Sequence, residues 1–217
     1  MEILEIKDLE ILAKKRVPKM FFDYVNSGSW TETTYNENVS DFQKIKLRQR
    51  VAIDMSNRTL ETKMINQPVS MPVAIAPTGL TGMQRADGEI LAAQAAEEFG
   101  IPYTLSTMSV CSIEAVAEKT KKPFWFQLYV MKDKKFMERL IDRAKEAKCS
   151  ALVLTLDLQL LGQRHKDLRN GLSTPPKLIP KHIYQVLTRP MWCLRMLTTK
   201  NHFFGNIVGH VKGIKDV

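Results

Sequence analysis

Four short apolar runs punctuate the middle of the chain: Val73–Ala76, Tyr103–Ser106, Phe124–Tyr129 and Ala151–Leu156. Between them apolar residues recur at helical spacing, so the pattern predicts strands alternating with helices. Helices are expected over Ala86–Phe99, from Ser112 through Lys119, and from Asp133 to Ala147. Ser112 and Asp133 supply N-cap oxygens. Asp87 and Glu89 fall in a first turn, where the helix dipole favours anions, and Gly100 is placed to stop the helix before it. Strand starts at 73, 103, 124 and 151 lie 30, 21 and 27 residues apart, the length of one βα unit. That alternation implies a parallel sheet with right-handed crossovers. No Gly-x-Gly-x-x-Gly follows the first run, so the dinucleotide fingerprint of a doubly wound sheet is absent and a closed barrel is favoured. The expected fold is therefore α/β: about four βα units of an eight-stranded βα barrel, an incomplete one, behind an N-terminal helical cap.

The pattern changes on either side of this repeat. Residues 7–27 read as two short helices split at Pro18, the first carried by Ile6–Ala13 and the second by Pro18–Asn26, with Gly28 placed to end it. Residues 29–70 are polar and Asn-rich, and read as irregular, with a short β pair around Lys46–Ile53 and Leu60–Met64. After the fourth run, Gly171–Pro176 is a loop. The stretch Ile183–Phe204 then mixes Tyr184, Trp192, Phe203 and Phe204 with Arg189, Arg195 and Lys200, broken at Pro190. Three parts result: a cap over 1–70, the repeat over 71–167 and a basic excursion over 168–217.

Bulk properties narrow the class. A chain of 217 residues with 44% hydrophobic and 25% charged residues can bury a core, which excludes a disordered chain. No apolar run reaches the ~18–20 residues needed to cross a bilayer. The acidic start Met1-Glu2-Ile3-Leu4-Glu5 does not read as a secretory signal. Cys111, Cys149 and Cys193 show neither zinc spacing nor a disulfide framework, and fit idle thiols in a reducing cytoplasm; no metal site is expected. Charge is uneven: residues 1–162 carry 22 Lys and Arg against 21 Asp and Glu, whereas residues 163–217 carry 10 against 2 and all four histidines. Such a basic, apolar segment suits an anionic membrane surface or a polyanion, or is a solvated loop.

Polar residues at the C-terminal ends of barrel strands are where sites are built. Gln127 and Tyr129 stand two apart on one strand and share a face. An amide donates and accepts at once, which suits the edge of a flat heterocycle such as a flavin or pterin; a satisfied core amide is the alternative. Ser106 and Thr155 each end a strand, either to meet a cofactor ring or to cap a turn. Ala76-Pro77-Thr78-Gly79 is a tight turn that lets backbone approach the mouth. Arg164 can clamp a carboxylate in bidentate fashion, or be a surface arginine. His165, beside Arg164 and Lys166, reads as exposed rather than as a base.

These residues, with Phe22-Asp23-Tyr24-Val25-Asn26-Ser27-Gly28, Leu105-Ser106-Thr107, Phe126-Gln127-Leu128-Tyr129 and Leu154–Asp157 through Gly162-Gln163-Arg164-His165-Lys166-Asp167, closely resemble the FMN-dependent α-hydroxy-acid dehydrogenase and oxidase family. The likeness is greatest to its bacterial L-lactate dehydrogenase branch and runs from about residue 4 to at least 176. It implies a (β/α)8 TIM barrel that holds FMN and oxidises an L-2-hydroxy acid, such as L-lactate to pyruvate. It implies that the backbone of Ala76, Pro77 and Thr78 and the side chains of Ser106, Gln127 and Thr155 touch the flavin. It implies that Tyr24, Tyr129 and Arg164 face the substrate, Arg164 and Tyr24 at its carboxylate and Tyr129 near the reacting oxygen. It further implies a homo-oligomer when complete, no nucleic-acid partner, and a cytoplasmic location or a peripheral one on the inner face of the plasma membrane through the excursion. The family's His-x-x-Arg base, its flavin-facing lysine and its phosphate-binding groups have no counterpart here. The expectation is thus an N-terminal portion, inactive alone, that works with a second chain, or else a non-catalytic remnant, or a membrane- or polyanion-binding module. Leu158-Gln159, where many relatives carry Thr-Pro or similar, bears on substrate preference.

Overall fold

A computed structural model describes residues 2–157, 160, 162–172 and 179–209. Leu158-Gln159 and most of the Gly171–Pro176 loop lie outside the described residues. The chain opens with α1 (Ile6–Arg16) and α2 (Lys19–Val25), separated at Pro18 as the pattern predicts. The third helix, α3 (Thr33–Lys44), corrects the irregular reading of this region. Its asparagines suggested turns, but Tyr35, Val39 and Phe42 repeat at helical spacing. The β pair is also displaced. Lys46–Ile53 forms no strand, and β1 (Thr62–Met64) instead pairs antiparallel with β2 (Gln67–Val69). Ile65 and Asn66 connect them, both at positive φ (47° and 61°), as a two-residue hairpin turn of the primed type requires.

The repeat then runs α4 (Thr81–Gln84), α5 (Gly88–Phe99), β3 (Thr104–Ser106), α6 (Ile113–Lys119), β4 (Trp125–Tyr129), α7 (Lys134–Glu146) and β5 (Ala151–Thr155). The expected strand Val73–Ala76 is reduced to one parallel bridge, Ile75 to Tyr103, held by Ile75 N to Pro102 O (2.9 Å) and Thr104 N to Ile75 O (3.0 Å). Pro72 and Pro77 bracket this stretch, and neither ring nitrogen can donate to a ladder. Spatial order follows chain order, from the bridge through β3 and β4 to β5, all parallel. A barrel needs that order, whereas a doubly wound sheet reverses direction at a switch point.

Register sorts the side chains. Trp125 pairs with Thr104 and Ala151, Gln127 with Ser106 and Val153, and Tyr129 with Thr155, so these share one face. Leu105, Phe126 and Leu128 point the other way, into a core with Ile113, Val116, Phe136 and Leu140. The caps fall where predicted: Ser112 Oγ accepts from Ala115 N (3.1 Å) and Asp133 Oδ1 from Phe136 N (3.0 Å). Glu89 falls in the first turn of α5, as expected. It is also fully buried, and its Oε1 accepts from Gly82 N and Val110 N, both at 2.9 Å, tying α4 to the loop after β3.

Beyond the sheet lie α8 (His165–Asn170), α9 (Pro180–Leu187) and α10 (Pro190–Met196). Pro190 does break the stretch, by occupying the first position of α10. The two tail helices pack on the cap. Met20 N donates to Gln185 Oε1 (2.9 Å), Trp192 Nε1 donates to Met83 O (2.8 Å), and the Trp192 ring stacks on Phe21 at 5.7 Å. No helix among the described residues is long and apolar enough to cross a membrane.

Candidate functional site

Successive strand ends of a parallel sheet lie side by side, so residues at sequence-distant ends meet at one rim. Ser106, Gln127 and Thr155 do so. Ser106 Oγ donates to Gln127 Oε1 (3.3 Å), and Gln127 Nε2 donates to Thr155 Oγ1 (2.6 Å). Gln127 is 1% exposed. Its Oε1 also accepts from Thr107 N (3.2 Å), and Thr107 Oγ1 donates back to Gln127 O (2.5 Å). The row is therefore fixed from both strands. An amide carries two N–H groups and a hydroxyl one proton. Among the described bonds, one Gln127 N–H and the Thr155 proton stay uncommitted.

The turn after the Ile75 bridge flanks this row. Ala76, Pro77 and Thr78 are exposed, and Thr78 O accepts from Thr81 Oγ1 (3.0 Å). Leu80 N donates to Met108 O (3.1 Å), which ties the turn to the residues just past Ser106. At Gly79 an added Cβ would stand 2.9 Å from the Tyr24 hydroxyl and 3.3 Å from Met108 Cβ. Glycine thus lets the turn approach both.

A second group gathers around Tyr24. The Arg164 guanidinium lies over its ring, 4.7 Å from the centroid. Arg164 Nη2 donates to Tyr24 O and to Ser27 Oγ (2.8 Å), so the arginine, at the N-cap of α8, fastens the end of α2. Its Nε stands 2.9 Å from Asp167 Oδ2, close enough for an ion pair but off hydrogen-bond geometry; among the described residues neither Arg164 Nε nor Asp167 Oδ1 has a hydrogen-bond partner. Burial raises the Tyr24 phenol above its ordinary pKa despite the opposing Arg164 charge, and Tyr129 adds to the rise. Tyr129 is raised by burial and by Asp157. Both phenols are consequently neutral at neutral pH and able to donate. Burial also raises Asp167, against the pull of Arg164.

The structure thus brings Ser106, Gln127 and Thr155 into one hydrogen-bonded row and stacks Tyr24 with Arg164. Several polar groups escaped the reading by strand ends. Thr107 backs Gln127. Asp167 had a signal, three residues after Arg164 and so on its side of α8. A polar chain also runs from α2 to α9: Asn170 Nδ2 donates to Asp23 Oδ2 (2.7 Å), the exposed Lys19 bonds the same oxygen, and His182 Nε2 meets Asn170 O at 2.7 Å. Lys19 and Asp23 had a local signal, four apart on α2; nothing in the local pattern marks Asn170 or His182, whose partners come from other helices. His165 packs edge-on to Trp30 at 5.7 Å, away from the strand-end row's hydrogen bonds.

Comparison with known proteins places this arrangement. The chain matches the FMN-dependent dehydrogenase family over residues 13–214, and it belongs to that family of FMN-using oxidoreductases. It is 44% identical to an L-lactate dehydrogenase of Acinetobacter baylyi over 220 residues, covering 100% of this chain and 57% of the relative. Among solved structures, a monotopic membrane protein, (S)-mandelate dehydrogenase, superposes with a TM-score of 0.89 at 30% identity, covering 99% of this chain and 58% of the other. A soluble mutant of the membrane-associated (S)-mandelate dehydrogenase of Pseudomonas putida gives 0.76 at 35% identity, over 84% of this chain and 51% of the other. The fold is an incomplete form of the βα barrel of these enzymes, and the chain spans little more than half the length of the relatives it matches.

Proposed function

We propose that this chain supplies the ring-facing rim and part of the substrate pocket of an FMN-dependent L-2-hydroxy-acid dehydrogenase, with L-lactate as its substrate. The single observation behind the reading is the buried row Ser106–Gln127–Thr155, fixed by bonds of 3.3 and 2.6 Å and still holding two uncommitted donors. Those donors match a flavin edge, which carries carbonyl oxygens and ring nitrogens that accept. The close approach at Gly79 suits a flat ring laid on the 76–78 backbone. Bound there, FMN supplies a two-electron acceptor. Tyr129 and Tyr24, kept as neutral phenols, donate to the substrate's reacting oxygen and carboxylate. Arg164 brings the charge that orients the carboxylate, and Asp167 holds that guanidinium in place. Orientation of this kind is the main contribution of such side chains.

The open edge of β5 supports a partner in the same site. Leu152 and Leu154 are about half exposed, and parallel strands are normally covered on both faces. In this reading a further βα segment, from the same polypeptide or a second chain, pairs with β5 and completes the pocket. The test combines the chain with the remaining C-terminal portion of the Acinetobacter baylyi relative and follows L-lactate-dependent reduction of a dye. Turnover by the mixture, lost in Arg164→Met, is expected. A mixture that takes up FMN but is indifferent to Arg164→Met contradicts the assigned pocket.

A specific feature favours peripheral membrane attachment through the tail. On α9 and α10 the polar residues His182 and Gln185 face inward while Tyr184, Leu187, Met191, Leu194 and Leu197 face solvent, Leu187 at 71% exposure. Lys181, Arg189, Arg195 and Lys200 are interspersed with these residues along the chain. An apolar face on a basic segment suits an anionic lipid surface. Cosedimentation with anionic vesicles, reduced by Leu187→Ser with Leu194→Ser and by high salt, is the expected result; binding unaffected by either contradicts it.

A further inference from the structure

The segment after the tail helices returns to the sheet and wedges behind the strand-end row. Gly205 N donates to Ser109 O (3.1 Å), and a Cβ at Gly205 would lie 2.6 Å from both Ser112 N and Val110 O. Only glycine permits that approach. Asn206, next in sequence, is 0% exposed, and both ends of its amide are engaged. Its Oδ1 accepts from Ile113 N (3.0 Å) and Arg143 Nη2 (3.2 Å). Its Nδ2 donates to Ser109 Oγ (3.0 Å) and, at longer reach, to Ser106 O (3.4 Å). Two donors face one end and a carbonyl and a hydroxyl the other, so the surroundings fix which end is which. Arg143 completes the clasp, with Nη1 donating to Asn206 O (3.3 Å) while Nε and Nη2 grip Glu114 at 2.6 and 2.8 Å.

We propose that Asn206 is a positioning residue for the ring-facing row, coupling the tail to the turn that begins at Ser106. Ser106 is where the two meet. Its carbonyl accepts from Asn206 and from Ser109 N (3.1 Å). Its hydroxyl accepts from Met108 N (3.1 Å) and donates to Gln127 (3.3 Å). Asn206 therefore holds residues 106–113 in the shape that points this hydroxyl along the row. Ser106 and Asn206 are 100 positions apart, and no local structure forces them together. An excursion that only covered surface would need no buried amide satisfied at both ends; an isolated buried amide is costly. The tail that carries the exposed apolar face is thus fastened to the strand-end turn through the Asn206 amide and the Gly205 backbone, a contiguous network of the sort that transmits coupling. The consequence for FMN rests on the flavin reading of the row; the coupling of tail and turn does not.

Asn206→Asp separates the two ends of the amide. It keeps the acceptor facing Ile113 N and Arg143 and removes both donations to the Ser106 turn. Hydrogen exchange of the full chain should show the amides of 107–113 exchanging about tenfold faster in N206D, the loss of a buried hydrogen bond, with the α7 amides unchanged. Unchanged exchange over 107–113, or equal loosening of α7, overturns the proposal. Should N206D not fold, native-state exchange of the unaltered chain decides: the amides of Gly205, Ser109 and Ile113 must open together, with one free energy and one urea dependence, and separate openings overturn the coupling. FMN titration of both proteins, each combined with the C-terminal portion of the Acinetobacter baylyi relative, separates this inference from the functional one. About tenfold weaker FMN binding by N206D supports positioning, and equal binding overturns it. Binding by neither protein overturns the flavin reading, while the exchange result still decides the coupling.

Discussion

β4 and β5 are neighbours of equal length, joined along their full extent in parallel, yet their environments are opposite. β4 (Trp125–Tyr129) is flanked on both edges, and Phe126 at its centre is 0% exposed beneath α6 and α7. Among the described residues β5 (Ala151–Thr155) is flanked on one edge, and its outward residues Leu152 and Leu154 are 46% and 50% exposed. The residues on the inner face are handled alike, since Gln127 and Thr155 join one row. The difference teaches that the rim is built while one flank of the barrel remains open. A strand's contribution to the site depends on its inner face and its end, and its contribution to stability depends on what covers its back.

That contrast can be broken by substitution. Phe126→Ala should cost about 3–5 kcal/mol, as cavities in a filled core do, whereas Leu152→Ala on the open side should cost under about 1 kcal/mol. Urea unfolding midpoints measure both, and similar losses would mean that β5 is covered in solution. Next in size, Gln127→Leu strands Thr107 N and the Ser106 and Thr155 hydroxyls, at about 1–3 kcal/mol. Thr155→Val, at the open edge, removes one acceptor for about 1 kcal/mol. Equal effects of the two would place the row's weight on the edge strand instead.

Charge placement on the open edge gives a smaller stability effect with a larger effect on association. Leu154→Lys should leave the urea midpoint nearly unchanged and reduce self-association in sedimentation, because a charge on an exposed strand blocks edge-to-edge pairing. The smallest effect belongs to the covered side. The Arg143 guanidinium holds the Glu114 carboxyl down to about 2, from an ordinary 4.5. A depressed carboxyl stabilises the fold above its unfolded pKa, and that stability fades as pH falls from 4.5 toward 2. Glu114 is more than half exposed, so the contribution is screened and modest. Glu114→Gln should flatten the acid limb of the stability profile slightly, lowering stability by a small constant amount above pH ~6 and leaving it unchanged near pH ~2. The same substitution would sharpen the picture of the Asn206 clasp, since Arg143 serves both.

The sequence pattern disclosed the repeat because burial on two faces makes each strand a continuous apolar run, and because a rim needs polar residues where those runs stop. Ser106, Gln127 and Thr155 were accessible for that reason. The apolar run Val73–Ala76 reads as a full strand yet forms a single bridge, since apolarity alone does not weigh the missing donors of Pro72 and Pro77. Asn206 is out of reach, a polar residue whose burial depends on a turn about 100 positions away, and only the first-turn position of Glu89 is legible, not its burial against α4 and the loop after β3. Helix α3 was hidden by asparagines that suit both turns and exposed helical faces, and its Tyr35, Val39 and Phe42 spacing was the signal to follow.

The claim on which the rest depends is that the row Ser106–Gln127–Thr155 faces the isoalloxazine. Visible circular dichroism of FMN, added to this chain together with the C-terminal portion of the Acinetobacter baylyi relative, tests it most directly. An induced flavin signal that is lost or reshaped in Gln127→Leu, with the fold intact by far-ultraviolet dichroism, is the predicted result. A signal identical in the unaltered protein and in Gln127→Leu would contradict it.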